Sequence, residues 1–398
     1  MVLITMMDFI LRKDFFASYT LLALLASLRP LLSLFSFYWG AELADSPEKL
    51  RRNMLLAWFF GRVPFLFIPM IPSAWYIVFC VGSFQFFHRA GIPATMEILR
   101  LNIEKGEREK LFTTSFMLCF AEGALLGLGI GRILDGDTSL WYLLLISSTL
   151  LSLFSLYFQM NVPLPPLKKK KPQALKRHLL TPWIETYHLL VRRPDFFAFQ
   201  LAFMFGGMGL MIMAPVKSIY FADHLHLTHE QVALARCFAM GLGVVASASI
   251  WRKGIHNYSQ MTITAVMLLF FSLYPLMLLS IPYASELTLY VTLFFYGVAQ
   301  SGSRLLWNLS GPLYAGDEES SRYSNTNVLT IGLRGLFGPL AGAFIYHTYG
   351  VEAALLTASI LCFVGLLFAM WYVVVKEKRT EQDSNLQPPG PKPGTLSN

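Results

Sequence analysis

GALLGLGIGRILD at 123–135 and GLFGPLAGAFIYH at 335–347 are the two stretches that decide how this chain is built. Each sets glycines four residues apart inside an apolar block, Gly127 and Gly131 in the first and Gly338 and Gly342 in the second, matched at one common offset. Small residues at that spacing let helices approach closely where the surrounding medium is itself apolar. GLGIG is not a phosphate-binding loop, because it lies within an apolar helix and no strand precedes it. Each stretch follows a polar loop, LNIEKGEREK at 101–110 and YAGDEESSRYSN at 314–325. The chain therefore reads as two related halves.

Working outward, apolar blocks of membrane-spanning length recur along the whole chain. Of its 398 residues 55% are hydrophobic and 14% are charged, where soluble domains carry about a quarter charged. Surface-to-volume scaling leaves too little interior in a soluble domain for so much apolar side chain. Eleven blocks of the length needed to cross a hydrocarbon layer of roughly 30 Å lie at 15–39, 54–72, 73–97, 112–133, 140–160, 196–221, 230–250, 261–281, 286–309, 324–347 and 350–375. Runs such as LLALLAS and MLLFFSLYPLMLL do not alternate apolar with polar, so the spans are helices and not barrel strands. Pro30, Pro64, Pro93, Pro215 and Pro339 fall inside the blocks, where neighbouring helices can re-satisfy the freed backbone groups. The start shows neither a basic region nor a cleavage site of a signal peptide. The fold class is an all-α polytopic membrane protein.

Basic residues orient it. Lys49, Arg51 and Arg52, then Arg100, Lys105, Arg108 and Lys110, then Lys168 to Lys171, Arg192 and Arg193, then Arg252 and Lys253, Arg322, and Lys376, Lys378 and Arg379 all fall on alternate loops. The intervening loops carry acids or His and no Lys or Arg. This asymmetry makes the basic loops and the carboxyl terminus cytoplasmic. The net charge of +8 then needs no nucleic-acid partner, although the lysine run could also attract anionic headgroups. The division is a half at 1–160, a basic linker at 161–195 whose TPWIETYHLLVRR reads as an interfacial helix, a six-span half at 196–376, and a polar tail at 377–398 expected to be disordered.

Two homologous halves joined by a basic loop form the parallel-repeat plan of the major facilitator superfamily, and this chain resembles that family. Trp39, Gly40, Ala41, Glu42, Leu43, Ala44 and Asp45, followed by Lys49, Arg51 and Arg52, resemble the family's loop between its second and third spans. Here Asp45 stands one residue late, and Pro47-Glu48 replace the second glycine. Arg334-Gly335-Leu336-Phe337-Gly338-Pro339 is similar to a sequence of poorly characterised bacterial members. The resemblance implies twelve spans in two six-helix halves, a solute path between them, a bacterial inner membrane and a monomer. It implies that Gly40, Asp45, Arg51 and Arg52 belong to a conformational loop. The second-half spans beginning at 196 and 230 set a spacing that, applied to 15–39, starts a further span before Met1. Residues 1–10 would be its outer end, with Arg12, Lys13 and Asp14 in an external turn, so most of the first helix is expected to be missing.

Ionisable side chains at mid-bilayer are costly and mark functional sites by default. Arg29, Arg62, Arg89, Glu122 and Arg334 lie near block centres, and His88 adjoins Arg89. Arg29, Glu122 and Arg334 each stand about ten residues from the cytoplasmic ends of their spans, a shared depth of roughly 15 Å. Four cations against one acid leave positive charge that an anionic solute could meet, Arg being suited to a bidentate grip. The competing reading has these arginines bracing helices through backbone carbonyls, and that one suits Arg62 best. Glu122 is either a proton-coupling carboxylate or half of a fixed ion pair. Lys217, Arg236 and Arg304 lie nearer helix ends and read as snorkelling. Gln85, Gln300 and Asn327, with Ser301, Ser303, Asn308 and Asn325, fall on spans that the family plan places at or beside the cavity, as solute contacts or as interhelical glue.

The candidate substrate-binding set is thus Arg29, Arg89, Arg334, Gln85, Gln300 and Asn327. The function expected is secondary active transport of a small solute by alternating access, with the proton as coupling ion, the lipid bilayer as surroundings and no cofactor. Cys80, Cys119, Cys237 and Cys362 show no metal spacing, His224, His226 and His229 read as a solvated turn, and no metal site is expected. No HExxH or Gly-x-Ser-x-Gly motif is present to support a membrane enzyme. A non-transporting, transporter-like scaffold is the alternative.

Overall fold

The computed structural model describes residues 2–40, 47–103, 105–163, 181–315 and 320–386. Among them every regular element is helical: α1 Val2–Phe15, α2 Tyr19–Gly40, α3 Pro47–Arg62, α4 Ala74–Asn102, α5 Lys105–Gly136, α6 Trp141–Met160, α7 Thr181–Arg192, α8 Pro194–Ile219, α9 His229–Ala233, α10 Met240–Asn257, α11 Gln260–Ser280, α12 Leu287–Ala315 and α13 Ser320–Leu386. Six helical stretches among the described residues are long and apolar enough to cross a membrane by length and composition. Large apolar side chains stay exposed along them, among them Leu151, Phe154, Phe158, Ile250 and Trp371. A soluble protein rarely leaves so much apolar surface in contiguous patches.

Local chemistry explains the irregular places. Pro64 and Pro69 tighten Val63–Met70 into a 3-10 helix that extends α3. Pro194 opens α8 at a position where its missing N–H costs nothing. Thr228 and Gln231 form a reciprocal capping box at the start of α9. The expected spans 324–347 and 350–375 are both inside α13, which breaks at Gly350 (φ 88°, ψ −179°). A left-handed φ is nearly free for glycine only, so one residue turns the chain from one span into the next. Helix α13 then runs on to Leu386, past the end expected at 376.

Two π-helical turns, Tyr220–His224 after α8 and Leu234–Ala239 between α9 and α10, lie where the second half meets α1. Such turns insert a residue into a helix and occur often at functional sites. Helix α1 itself is central: Met6, Met7, Phe9, Ile10 and Leu11 are almost completely buried, in one core with Phe65, Ile77, Leu145, Val216 and Phe221. Arg12, Lys13 and Asp14 belong to this helix and not to an external turn. The chain reverses after it at Phe16, whose φ is 50°.

Among the described residues the halves meet along three seams, α2 against α8 and α13, α5 against α9 and α10, and α1 against α8 and the two π-helical turns. The matched glycines do not make matched contacts. A Cβ on Gly127 or Gly131 would strike Cys237 or Glu230 across the second seam, whereas one on Gly338 or Gly342 would strike Met211 or Ile212 of α8, within the second half. The seam between α2 and α13 depends on other glycines, Gly332 against Leu34 and Gly335 against Pro30.

Candidate functional site

A cavity of about 520 Å³ lies between the halves, lined by α2, α4, α8, α11, α12 and α13. Three arginines reach it: Arg89 from α4, Arg304 from α12 and Arg334 from α13. Its lining among the described residues holds no Asp or Glu. Apolar and aromatic walls come from Phe203, Met267, Phe271, Tyr296 and Trp307, and amide groups from Gln300 and Asn308. A mostly apolar pocket with a few convergent polar groups is the usual form of a small-molecule site.

Arg334 is the most constrained of the three cations. It is 4% exposed, it donates to the backbone carbonyl of Phe203, and its guanidinium lies 6.0 Å from the Trp307 ring centroid. Its Nε is buried without a hydrogen-bond partner, and no described carboxylate forms an ion pair with it. Gly207 makes this position possible, since a Cβ there would overlap the Arg334 guanidinium. Arg304 lies 5.1 Å from the Phe120 ring of the opposite half. Gln300 donates to the Tyr296 hydroxyl at 2.7 Å, and Tyr296 stacks on Tyr274 at 4.3 Å. Lys217 stands over the same ring at 5.8 Å.

Of the residues expected to bind solute, Arg89, Arg334 and Gln300 come together here. Asn327 does not: it is 2% exposed, accepts from Gln200 and donates to Ser310 at 2.6 Å, tying α8, α12 and α13 together. Gln85 is on α4 outside the lining, and the Arg29 side chain lies outside the described residues. Glu122 is exposed on α5 and forms no ion pair among the described residues. Arg62 lines a second cleft, of about 330 Å³, between α3, α4 and α6, with Phe84 at 5.5 Å. In the loop motif, Arg51 donates to the Val162 carbonyl at 3.2 Å and Arg52 is exposed. Gly40 ends α2, and Asp45 lies outside the described residues.

Sequence reasoning missed a second charged cluster. Asp8 of α1 sits 2.6 Å from Arg236 and accepts from Ser218, while Arg236 also donates to the Thr5 carbonyl at 3.1 Å and to Ser218 at 3.2 Å. Arg236 is 4% exposed and does not snorkel. The signal available was Asp8 itself, the lone acid in MVLITMMDFI.

On the face opposite the basic loops, a further set of polar contacts joins the halves. Arg12 grips Asp223 through two nitrogens, Lys13 donates to the Leu227 carbonyl at 2.8 Å, and Arg132 pairs with Glu230. His229, 1% exposed, lies between Asp135 at 2.9 Å from Nδ1 and Asp14 at 3.1 Å from Nε2. It is not part of a solvated turn. Burial raises the Asp135 carboxyl pKa, but the backbone N–H groups of Glu230 and His229 and the His229 ring outweigh that and leave it below its ordinary value.

Comparison with known proteins agrees with this architecture. The family model described as Major Facilitator Superfamily matches residues 1–330. Among solved structures, a mutant of the nucleoside transporter NupG aligns with TM-score 0.65 at 11% identity, covering 94% of this chain and 95% of that one. The unmutated NupG aligns at 0.63 and 12%, covering 93% and 94%. The human organic anion transporter MFSD10 (TETRAN) aligns at 0.54 and 16%, covering 88% and 82%. No curated protein sequence matches the chain.

Proposed function

The chain belongs to the Major Facilitator Superfamily, and from that premise we propose that it is a secondary active transporter moving a small organic anion by alternating access. The observation that carries the anion is Arg334, a buried guanidinium at the cavity wall with an unpartnered Nε and, among the described residues, no carboxylate to neutralise it. A charge left so in a low-dielectric interior is expensive, and an anionic ligand entering the cavity would compensate it. Arg89 and Arg304 add to the attraction from both halves. Trp307, Tyr296 and Phe271 offer faces to a ring or an apolar body, and Gln300 and Asn308 can read hydroxyl or amide groups on it.

The coupling ion in this reading is the proton. Asp8 suits that role better than Glu122, because it is held between α1 and the second half by Arg236 and Ser218. A carboxylate that loses its cation when the halves part becomes easier to protonate, which links proton binding to conformation. In the same reading the basic face is cytoplasmic, the membrane is a bacterial inner membrane, and the transporter works as a monomer around a midplane site.

The test is binding and flux on the purified, reconstituted protein. A thermal-shift panel of carboxylated, phosphorylated and neutral solutes should show stabilisation by anions. In proteoliposomes the selected anion should move in wild type and not in Arg334→Gln, with Arg334→Lys intermediate because it restores charge without the fork. Stabilisation by neutral solutes alone, unaffected by Arg334→Gln, would refute the anion reading.

A further inference from the structure

We propose that the His229 cluster is a proton-binding site, in which one proton shared by His229, Asp14 and Asp135 latches the face opposite the basic loops. The geometry carries it. Both ring nitrogens of His229 face carboxylate oxygens, Nδ1 to Asp135 at 2.9 Å and Nε2 to Asp14 at 3.1 Å. A neutral imidazole has one N–H and one lone pair. With two ionised carboxylates, one of these contacts would set a nitrogen lone pair against an oxygen lone pair. One additional proton removes the conflict, because an imidazolium donates at both nitrogens. The ring is 1% exposed, with Phe9 packed edge-on at 5.5 Å, so water cannot stand in for a missing donor.

The three groups come from different parts of the interface. Asp14 ends α1 and Asp135 ends α5, both in the half at 1–160, while His229 begins α9 in the other half. Asp135 also accepts from the backbone N–H groups of His229 at 2.9 Å and Glu230 at 2.8 Å. It therefore caps a helix that belongs to the opposite half, and this face cannot open without breaking the cap. The surrounding charges are otherwise engaged: Arg12 with Asp223, Arg132 with Glu230, and Lys13 with the Leu227 carbonyl. His224 packs on Tyr220 and Tyr346, and Glu286 accepts from Gln231 and Tyr290. None of these supplies the missing donor to Asp14 or Asp135.

Deprotonation sends the shared proton to solvent and leaves a neutral ring facing two anions. In one tautomer Asp14 then repels the lone pair on Nε2, and in the other Asp135 repels the lone pair on Nδ1. The latch therefore weakens as pH rises and the shared proton is lost. The role of the site in transport rests on the alternating-access reading above, whereas its existence does not.

Spin labels at Trp75→Cys and Tyr283→Cys, exposed positions on this face in opposite halves, report its opening by pulsed dipolar distances. The background replaces Cys80, Cys119, Cys237 and Cys362 with Ser, and no solute is added. The population with long distances should rise as pH is taken from about 6 to about 9. That pH dependence should vanish in His229→Gln, whose amide donates and accepts at any pH. Should His229→Gln fail to insert, Asp14→Asn should abolish the pH dependence in the same way, since an amide suits a neutral ring. A distance distribution that does not change with pH in the otherwise unsubstituted protein, or an unaltered pH transition in either variant, overturns the proposal. Because the readout uses no solute, a negative transport assay does not touch it, and a latch indifferent to pH leaves the transporter reading standing.

Discussion

Arg236 reaches from the second half of the chain to Asp8 of α1, its Nη1 2.6 Å from the carboxylate, in the core between the halves. Both partners are largely out of water, with side-chain exposures of 5% and 25%. In that setting the pair is only modestly stabilising as a whole, while losing one partner strands the other.

Asp8→Ala should therefore destabilise the protein by about 3–5 kcal/mol, and Asp8→Asn, which keeps an acceptor, by less. Adding Arg236→Met to Asp8→Ala should recover much of the loss, because no buried charge is left behind. Denaturation midpoints in detergent for the four members of this cycle measure the coupling. Equal losses in the single and double variants would show that Arg236 finds another anion.

Gly207→Ala tests the Arg334 geometry without touching its charge. A methyl group there would overlap the guanidinium, so Arg334 must leave the Phe203 carbonyl and shift in the cavity. Anion affinity should fall at least about tenfold, a change of about 1.4 kcal/mol, while the helical content and the stability change little. Isothermal titration with the anion selected by the panel checks this; unchanged affinity would mean that Arg334 does not set the site.

Gly342→Ala addresses packing alone. Its Cβ would meet the Ile212 backbone of α8, which cannot give way as a flexible side chain can. Overpacking at such contacts costs about 1–3 kcal/mol, to be read as a lowered melting temperature. Gly129→Ala on α5 meets nothing within 4 Å and should be neutral or slightly stabilising.

These sites also show what the sequence could and could not disclose. Composition and block length disclosed an all-helical membrane protein because the bilayer imposes a length on every span. Arg89, Arg334 and Gln300, which line one cavity, stood out because a charge or an amide in an apolar run is conspicuous at any register. Asp8 was passed over, and His229 was read as part of a solvated turn, for a different reason. Their significance comes from partners more than 200 residues away in sequence, Arg236 for one and Asp14 for the other, and no local pattern encodes such a pairing. The matched glycines do pack closely on neighbouring helices, but the partner is set by which neighbour each helix face meets, and the repeated spacing does not encode that.

Asp135 yields a pH prediction whose sign follows from its environment. Its carboxyl is held below the ordinary range by the backbone N–H groups of Glu230 and His229 and by the His229 ring, against the opposing effect of burial. A carboxyl whose folded pKa is depressed contributes stability above its unfolded pKa, about 3.9, and loses that contribution as pH falls through the folded value. Asp135→Ala removes a helix cap contributed by the opposite half and should cost about 1 kcal/mol at neutral pH. The gap between wild type and Asp135→Ala should narrow steadily as pH drops below about 4 and close once the carboxyl is protonated. Thermal unfolding of both proteins across that acid range makes the comparison. A gap that stays constant to the lowest pH would mean the cap acts through its shape and not its charge, and a gap that widens would reverse the sign assigned here.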